Sequence, residues 1–386
     1  MVSLMASSCN SCNNSYSADN EIEIFLPENN ADESEFVKHI KNIEIINLQM
    51  DSNYVYTDVS DLRVSDNYYY FISRGLQLTC YEKATGKLMF SRSVQGRGHG
   101  ECAQANSYFT SGDNIVINAQ GRLLSYNCFG DFCGSLTNKE LGSTCILPLK
   151  DGYVSCELSG SLYDMDRCVT LLDSSFNEKG NYFKIPSKYK LFGRYHISST
   201  SPNIYVFNDT LRFIYQFTYR LYSFPEGKTY HFISPKQIPK AEVDKLSDVS
   251  GLHDFINSLE DIGCNTTLID LAEVQNYITF RYLTAGLQEQ YKILIDKRNN
   301  NVFSIRIERD DYETSLDVWA VMLGSQVLYC DGKYLYAKAH RNAYKFLDRH
   351  AQCLDSMQMS VYKTMQEKLS ATTERDFSFF YKIELE

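Results

Sequence analysis

Hydrophobic and polar positions alternate in short runs along this chain, and the same two-part unit recurs six times. Each unit opens with a polar turn that leads into an alternating strand of aromatic and β-branched residues, such as Asp66–Asn67 followed by Tyr68–Phe71. The six units begin at Asp66, Asp113, Asp151, Pro202, Gln275 and Asp331. Alternation with a period of two is typical of half-buried strands, so the pattern predicts a strand after each of these turns.

A second strand signal follows in each unit and is interrupted by a hairpin turn. The six predicted hairpin turns are Thr85–Lys87, Phe129–Asp131, Glu178–Gly180, Glu226–Lys228, Asn299–Asn301 and Asp348–His350. Apart from one longer gap, successive turns are spaced roughly 40 to 50 residues apart, which is the period of propeller blades. We therefore predict an all-β fold, a six-bladed β-propeller with four-stranded blades that occupies residues 21–386 as a single domain.

Two stretches depart from the strand pattern. Between Pro239 and Gly263, apolar residues recur at the spacing of an amphipathic helix, and this insertion accounts for the longer gap. A second helical face is formed by Leu354, Met357, Val361, Met365 and Leu369. We predict two short helical insertions, at about 239–263 and 352–369, that cover a blade edge. The alternative is that they shape a binding site on one rim.

Each end of the chain also carries a strand pattern. Ile43–Leu48 precedes the first full unit, and Phe377–Ile383 follows the last one. Closed propellers often build one blade from both chain ends, because this removes an exposed sheet edge. We therefore predict that these two strands pair in one blade.

Composition and charge narrow the classes of partner. Aromatic residues make up 13% of the chain, with 29 Tyr and 22 Phe, which suits half-buried strands. The formal net charge is -10, and no cluster of Lys and Arg is present. Because nucleic-acid binding needs a basic face, no nucleic-acid partner is predicted, and an anionic membrane surface is disfavoured for the same reason.

The N-terminus is the part of the sequence that points to a membrane. Small residues precede Cys9 as they do at the end of a bacterial lipoprotein signal, although the basic and apolar regions of a complete signal are missing. The Asn/Ser-rich stretch that follows is typical of a flexible tether. We predict that residues 1–20 are the remnant of a lipoprotein leader with its tether and that Cys9 is the lipidation site. An ordinary cytosolic N-terminus is the alternative.

The twelve cysteines do not form a recognisable metal-binding pattern. Cys9 and Cys12 make a CxxC without a second pair or a histidine at zinc-ligand spacing, so no metal site is predicted from them. Cys80, Cys156 and Cys330 lie within strand patterns, where a buried thiol packs as a small hydrophobe. One or two disulfides are the alternative if the protein is exported, because the periplasm is oxidising.

The most distinctive local motif is Gln95–Glu101, which contains alternate glycines at Gly96, Gly98 and Gly100. Neither the Rossmann nor the Walker phosphate-binding pattern is met. Glycines allow positive φ angles in a tight crossover between blades, and Glu101 can accept hydrogen bonds from nearby backbone amides. We therefore predict a structural role for this motif.

The segment Gly96–Glu101, together with the turn Tyr81–Lys87, resembles the six-bladed β-propeller lipoproteins that are abundant in gut Bacteroidetes. The strong match covers about residues 36–135, and the remainder agrees at the level of the repeats. Family members usually have proline at the position of His99. The resemblance implies a six-bladed propeller, export to the cell envelope and lipidation at Cys9. It implies no reaction, because the family has no established general activity.

For function, we favour a non-enzymatic binding or scaffolding propeller of the cell envelope, with a glycan, peptide or protein as its ligand. No catalytic residue is predicted, because the seven histidines form no HxxxH or HxH pair and no GxSxG elbow is present. The alternative is a metal-dependent, lactonase- or esterase-like hydrolase with its site at the central channel. For such a calcium or zinc site at the central channel, Glu101, Asp151 and Asn208 are conceivable ligands by residue type, although acidic and amide residues at blade turns are far more often turn formers. No other cofactor is predicted.

Overall fold

The computed structural model of the protein describes residues 21–27, 33–49, 59–73, 76–138, 145–156, 169–182, 204–215, 219–234, 239–249, 251–262, 267–283, 290–307, 318–323, 326–339, 341–370 and 379–386. The predicted leader and tether, including Cys9 and Cys12, lie outside these residues.

The described chain begins with strand β1 (Glu21–Phe25), helix α1 (Glu33–Lys38) and strand β2 (Ile40–Asn47). Blade I consists of β3 (Val59–Val64), β4 (Tyr68–Ser73), β5 (Gln77–Glu82) and β6 (Leu88–Ser93). Blade II consists of β7 (Ser107–Ser111), β8 (Asn114–Asn118), β9 (Arg122–Tyr126) and β10 (Phe132–Thr137). Blade III consists of β11 (Cys145–Leu149), β12 (Gly152–Cys156), β13 (Val169–Leu172) and β14 (Glu178–Tyr182).

Blade IV contains β15 (Ile204–Phe207), β16 (Thr210–Tyr215), β17 (Arg220–Phe224) and β18 (Thr229–Ile233). Helices α2 (Lys240–Ser247) and α3 (Leu252–Ile262) lead to blade V, which consists of β19 (Thr267–Val274), β20 (Tyr277–Leu283), β21 (Gln290–Asp296) and β22 (Asn301–Ile307). Helix α4 (Val318–Leu323) precedes blade VI, which is formed by β23 (Val327–Cys330), β24 (Tyr334–Lys338), β25 (Phe379–Leu385) and β2. Helices α5 (Arg341–Arg349) and α6 (Ser356–Ser370) lie in the chain between β24 and β25.

The first strands of the blades form the centre of the molecule. In the order β3, β7, β11, β15, β19 and β23, each contacts the next, and β23 contacts β3 to close the ring. Each blade pairs its four strands antiparallel. The structure is therefore a closed six-bladed β-propeller with four-stranded blades, and the fold predicted from the repeats is confirmed.

Adjacent tyrosines of β4 show why alternating aromatic residues suit this fold. Tyr69 packs its ring edge-on against Phe380 of blade VI, with a distance of 5.1 Å between ring centroids. Tyr70 points to the other side of the strand, where its hydroxyl donates to the carbonyl of Asp113 in blade II. Both tyrosines are buried. Because successive side chains leave opposite faces of a strand, each blade fills the gaps on both of its sides.

The two ends of the chain close the ring in blade VI. Strand β2 pairs antiparallel with β25, and the register places Ile43 opposite Ile383 and Ile45 opposite Tyr381. Helix α6 also contacts β2, so the outer strand of this blade is covered. The predicted pairing of the terminal strands is confirmed, with bounds that differ from the prediction by a few residues.

An additional strand, which the sequence pattern did not predict, joins blade IV. Strand β1 pairs parallel with β18, with Glu21 opposite Thr229 and Glu23 opposite His231. Its Glu21 carboxylate accepts a hydrogen bond from Arg220 Nε at 2.9 Å. Strand β1 therefore covers the edge of β18 that would otherwise be unpaired.

The helices lie where strand alternation is interrupted. The spacing between Pro239 and Gly263 corresponds to α2 and α3 rather than to one helix, and Gly251 lies between them. Helix α6 begins with a reciprocal cap, because the backbone N–H of Gln358 donates to Asp355 Oδ1 at 2.8 Å and that of Asp355 donates to Gln358 Oε1 at 2.9 Å. Among the described residues, no helix is long and apolar enough to span a membrane.

The strand predicted at Ile204–Phe207 is confirmed; it is the inner strand β15, and its hairpin is formed by Asn208 and Asp209, both with positive φ. Two of the predicted hairpin turns were wrong. Glu178–Gly180 lies within β14, and the turn before it closes with a 2.9 Å hydrogen bond from Asp173 N to Asn177 O. The predicted turn Asp348–His350 lies at the end of helix α5.

Candidate functional site

A cavity of about 220 Å³ lies in the central channel between the six inner strands. Every inner strand contributes to its wall, with representative residues Arg63, Phe109, Leu147, Tyr205, Leu271 and Tyr329. Most of the lining is aliphatic or aromatic, and Arg63 is the charged residue among the described residues that line it. A concave and mainly apolar pocket with few polar groups is the usual form of a ligand site. This channel cavity is therefore the candidate site.

Irregular pairing shapes the wall of the channel cavity. The inner strands β3, β19 and β23 each shift register against the second strand of their blade. In β19 the shift lies between Ile269 and Ala272, where Asp270 has a φ of 56° and the next residue, Leu271, lines the cavity. Bulges redirect side chains and are frequent near functional sites. The shifts therefore give the channel a wall that six regular strands would not form.

Arg63 places a positive charge in this wall. Its side chain is buried, with Nε donating to the carbonyl of Tyr108 at 2.8 Å and Nη1 donating to the carbonyl of Leu62 at 2.7 Å. The guanidinium carbon lies 4.6 Å from the ring centroid of Tyr108 and 5.8 Å from that of Tyr329. Attraction between a cation and an aromatic ring favours this position. Arg63 is thus held at the meeting point of blades I, II and VI.

A second polar group lies behind the cavity wall and is centred on Glu273, whose side chain is 1% exposed. Its Oε2 accepts hydrogen bonds from Arg212 Nε at 2.9 Å and from the Tyr205 hydroxyl at 3.1 Å. Its Oε1 accepts a hydrogen bond from Lys297 Nζ at 2.5 Å. Burial, together with the negative charge of Glu273, holds the pKa of Tyr205 well above its usual range, so this hydroxyl stays protonated. The positive charges of Arg212 and Lys297 therefore balance the negative charge of the Glu273 carboxylate.

The remaining ionisable groups of the lining are neutral near pH 7. Burial raises the pKa of Tyr329 to about 12 and that of the Cys330 thiol to about 12. A protonated thiol in apolar surroundings is unreactive. Cys80 and Cys156, for which the strand pattern predicts a packing role, are buried. Among the described residues, the lining therefore combines the Arg63 guanidinium with uncharged side chains.

A further charged cluster lies between blades V and VI. Lys292 is buried beside a cavity of about 20 Å³, and Arg281 Nε donates to the carboxylate of Asp270 nearby. Burial lowers the pKa of Lys292 to about 8, although the negative charge of Asp270 opposes this effect. A cavity of this size holds about one water molecule. We therefore assign the cluster to the packing between blades rather than to ligand binding.

The glycine-rich motif forms a compact crossover between blades I and II. The backbone N–H of Gly98 donates to Glu101 Oε2 at 2.8 Å, and the hydroxyl of Tyr126 donates to the carbonyl of Gly100. A Cβ atom at Gly96 would overlap the Glu101 carboxylate. The ring of His99 lies edge-on against Phe132, with a centroid distance of 4.8 Å. These contacts fit the structural role predicted for the motif.

The candidate calcium ligands are not brought together. Glu101 lies in the crossover before β7, whereas Asp151 and Asn208 lie in the hairpins that follow β11 and β15. The crossover and the first hairpin of a blade lie at opposite ends of its inner strand, so Glu101 is at the other end of the channel from the two hairpin residues. These three side chains are therefore not arranged as ligands of one metal ion.

A different cluster of metal-type ligands lies at the edge of blade IV. In the part of the chain that the structure describes, the ligand atoms of Glu21, Glu23 and His231 lie within 4.8 Å of one another. Arg220 Nε already donates to Glu21 at 2.9 Å, and His231 Nδ1 lies 3.1 Å from the same carboxylate. The Arg220 guanidinium therefore already occupies this cluster. The cluster lies at the outer edge of blade IV, away from the channel cavity.

Comparison with known proteins agrees with this architecture. A family model described as a six-bladed β-propeller, DUF5128, matches residues 12–328. The chain belongs to the DUF5128 family. No protein with a curated function is significantly similar to it in sequence.

Two solved structures are similar to this DUF5128 propeller in fold. A protein of Bacteroides fragilis that its name describes as exported has a TM-score of 0.66 and 16% identity, and the similarity covers 95% of this chain and 99% of that one. A member of the DUF4221 family from Bacteroides vulgatus has a TM-score of 0.50 and 9% identity, covering 89% of this chain and 98% of that one. At these identities, the similarity shows a shared fold.

The residues of the channel cavity were not singled out by the sequence pattern of this DUF5128 chain. Arg63 lies between two apolar residues, Leu62 and Val64, in a predicted strand segment, and a charge at such a position is a usable signal for a functional or paired group. Tyr205 and Tyr329 carry no such signal, because tyrosine is frequent in all blades. Which tyrosines face the channel depends on the register of the inner strands.

Proposed function

We propose that this DUF5128 propeller is a non-catalytic binding protein of the bacterial cell envelope that takes its ligand into the channel cavity. The observation that carries the proposal is the composition of the lining, where apolar side chains from six strands surround a space beside one fixed cation, Arg63. Such walls bind the body of a ligand, and a single charged group orients it. The glycan, peptide or protein ligands expected from the sequence are candidates for this site.

The alternative function, a metal-dependent hydrolase, has less support from the geometry. Hydrolysis of an ester or lactone needs a metal site or an activated nucleophile beside the reacting carbonyl. The described residues that line the channel cavity include neither a carboxylate nor a histidine. Cys330, a thiol in the lining, keeps its proton because burial raises its pKa to about 12. Binding without reaction is the function that this chemistry favours.

A matched pair of substitutions tests binding in the channel. Thr110 lines the cavity on β7, whereas Thr137 is exposed at the end of β10 in the same blade. Thr110→Trp fills the cavity, and Thr137→Trp adds the same side chain at the surface. A ligand that binds the folded state raises the melting temperature. In a screen of glycans, peptides and small acids, we expect a ligand that stabilises the wild type and Thr137→Trp but not Thr110→Trp.

The same assay separates binding from metal-dependent hydrolysis when calcium, zinc and a chelator are included. A stoichiometric metal whose removal lowers the melting temperature would favour the hydrolase instead. If every stabilising ligand acts equally on Thr110→Trp and on the wild type, the channel is not the binding site and the proposed function fails.

The cell-envelope location is a separate part of the proposal. It is supported by the resemblance of the N-terminus to the end of a lipoprotein signal and by the Bacteroides fragilis protein of the same fold that is named as exported. When the native gene is expressed in a Bacteroides host, we expect its product in the membrane fraction. The Cys9→Ser variant should leave that fraction, and its retention there would contradict lipidation at Cys9.

A further inference from the structure

We infer that the group bound in the channel cavity is uncharged and apolar, a compact aryl or branched alkyl group. This inference rests on the proposed function, because it names the chemical class of the ligand for the same cavity. It follows from three properties of the described lining, namely its charge, its hydrogen-bonding groups and its size.

The first property is that the charged groups at the described wall are bound within the protein. Arg63 Nε and Nη1 donate to the backbone carbonyls of Tyr108 and Leu62, and the guanidinium carbon lies 4.6 Å from the ring centroid of Tyr108. The Glu273 carboxylate behind the wall is hydrogen-bonded to two cations. Burying an ionised ligand is costly unless the protein pairs with it. Because both of these groups already have protein partners, the wall favours an uncharged ligand over an ion of either sign.

The second property is the small number of hydrogen-bonding side chains in the described lining. Besides Arg63, they are Thr110, Tyr205, Tyr329 and Cys330. The Tyr205 hydroxyl is directed behind the wall, to Glu273 Oε2 at 3.1 Å, and burial raises the pKa of the Cys330 thiol to about 12. A buried sugar ring or peptide backbone needs a partner for each of its polar groups. The lining therefore suits a group that has few or none.

The third property is the size of the cavity and the apolar remainder of its wall. Phe109, Leu271, Val327 and Leu328 line it from strands of three blades, and all four are buried. An apolar cavity of about 150 Å³ is large enough to bind benzene in an engineered protein. The channel cavity, at about 220 Å³, has room for such a ring with a short substituent. An aryl or branched alkyl group therefore matches the cavity in both size and polarity.

Three ligands of similar shape and different charge test this class. Benzyl alcohol is neutral at pH 7, whereas phenylacetate is an anion and benzylamine a cation. Each is titrated by NMR into the wild type, Thr110→Trp and Thr137→Trp. We expect benzyl alcohol to bind at least about tenfold more tightly than either ion, since burial costs an ion far more hydration than a neutral group. Thr110→Trp should bind none of the three, and Thr137→Trp should bind as the wild type does.

A conservative substitution tests whether the one hydroxyl that is changed least in shape contributes to binding. Thr110→Val keeps the shape of the side chain and removes its hydroxyl. We expect this variant to bind toluene at least as tightly as the wild type does, because its wall is more apolar. Loss of toluene binding in a Thr110→Val protein with an unchanged melting temperature would show that the site depends on a polar contact, and would overturn the apolar class.

Another ligand distinguishes a free molecule from the side chain of a peptide. N-acetylphenylalaninamide carries the same ring on an uncharged peptide unit. If it binds and benzyl alcohol displaces it, the aryl group belongs to a peptide side chain. If benzyl alcohol binds and the peptide unit does not, the ligand is a free small molecule. Either result supports an uncharged aryl group in the cavity.

The outcomes also separate this inference from the proposed function. If phenylacetate or benzylamine binds as tightly as benzyl alcohol, or if only a neutral sugar such as methyl glucoside binds, and Thr110→Trp abolishes this binding, the uncharged apolar class is overturned while binding in the channel stands. If no ligand distinguishes Thr110→Trp from Thr137→Trp, both the inference and the proposed function are overturned. The comparison of the three ligands on the wild-type protein needs no substitution, so it remains a test even if Thr110→Trp does not fold.

Discussion

Ile45 of β2 stands opposite Tyr381 of β25 in blade VI, although the two residues come from opposite ends of the chain. Both are buried in the same hydrophobic cluster, which also contains Met365 of helix α6. Strand β2 is therefore the outer strand of the blade that the C-terminal strand β25 completes, and the ring closes through side-chain packing as well as backbone pairing. Closure of this kind links the stability of both termini to that of the whole ring.

We expect Ile45→Ala to destabilise the protein by about 3 kcal/mol, since removing a buried aliphatic side chain from a packed core typically costs 2 to 5 kcal/mol. Glu44→Ala is the matched control, because the adjacent Glu44 side chain is 51% exposed and its removal should change the free energy of unfolding by less than about 1 kcal/mol. Urea denaturation gives both values. Hydrogen exchange should also accelerate in β2 and β25 more than in blade II; equal acceleration in all blades would argue against local opening at the closure.

Glu273 should be the most sensitive charged residue near the channel. In Glu273→Gln the buried guanidinium of Arg212 loses its closest carboxylate, and Lys297 loses its partner. Removing one member of a buried ion pair typically costs 3 to 5 kcal/mol, and we expect about 3 kcal/mol here by chemical denaturation. Glu226→Gln is the control, because Glu226 also pairs with Arg212 but is 47% exposed, so its loss should cost less than about 1 kcal/mol. Equal losses for the two variants would disprove a special role for Glu273.

The sequence was sufficient to predict the number of blades because each repeat contains its own local turn signal. Asp113–Asn114 and Asp331–Gly332 each lead into a strand as predicted, since a polar hairpin turn leaves the same signal wherever it occurs. In the fourth unit the predicted strand Ile204–Phe207 is confirmed, but residue types alone do not show that it is the inner strand of its blade. The positive φ angles that select Asn208 and Asp209 appear only in the folded structure.

The channel cavity could not be predicted in the same way. Its wall brings together Arg63, Tyr205 and Tyr329 from three blades, and none of these contacts is local in sequence. The shift of register in β19 decides that Leu271 lines the cavity, and the pattern of apolar residues does not reveal such a shift. Strand β1 was missed for a related reason, because its pairing with β18 depends on a partner far along the chain.

Gly100 of the crossover motif and Gly112 of the hairpin between β7 and β8 can separate the cost of steric overlap from that of backbone strain. Gly100 has a φ of 75°, and a Cβ atom there would lie 2.8 Å from Cγ of Phe132. Gly112 has a φ of 58°, but a Cβ atom there would meet nothing within 4 Å. We expect Gly112→Ala to cost about 1 kcal/mol from strain alone. Gly100→Ala should cost about 2 to 4 kcal/mol, because overpacking adds 1 to 3 kcal/mol.

The measurement for this pair is urea denaturation, with the Phe132→Ala background as a further test. In that background the steric part of the Gly100→Ala cost should disappear, so the two alanine variants should become similar. If Gly100→Ala remains more costly without the Phe132 ring, the contact with this ring is not the cause.

Lys292 should make the protein more stable as the pH rises above 8. Burial gives this lysine a pKa of about 8 in the folded state, below its usual value of 10.5, so the folded protein releases the proton first and the unfolded chain binds more protons between these values. The unfavourable burial of charge is therefore present below pH 8 and is relieved towards pH 10.5.

We expect Lys292→Met to raise the free energy of unfolding at pH 7 by about 1 to 3 kcal/mol, since Asp270 retains its ion pair with Arg281. Chemical denaturation of wild type and variant between pH 7 and 10 checks this, and the difference between the two curves cancels the ionisation of buried tyrosines such as Tyr69, whose pKa burial raises to about 12. That difference should shrink as the pH rises, and a constant difference would mean that Lys292 does not lose its proton in the folded protein.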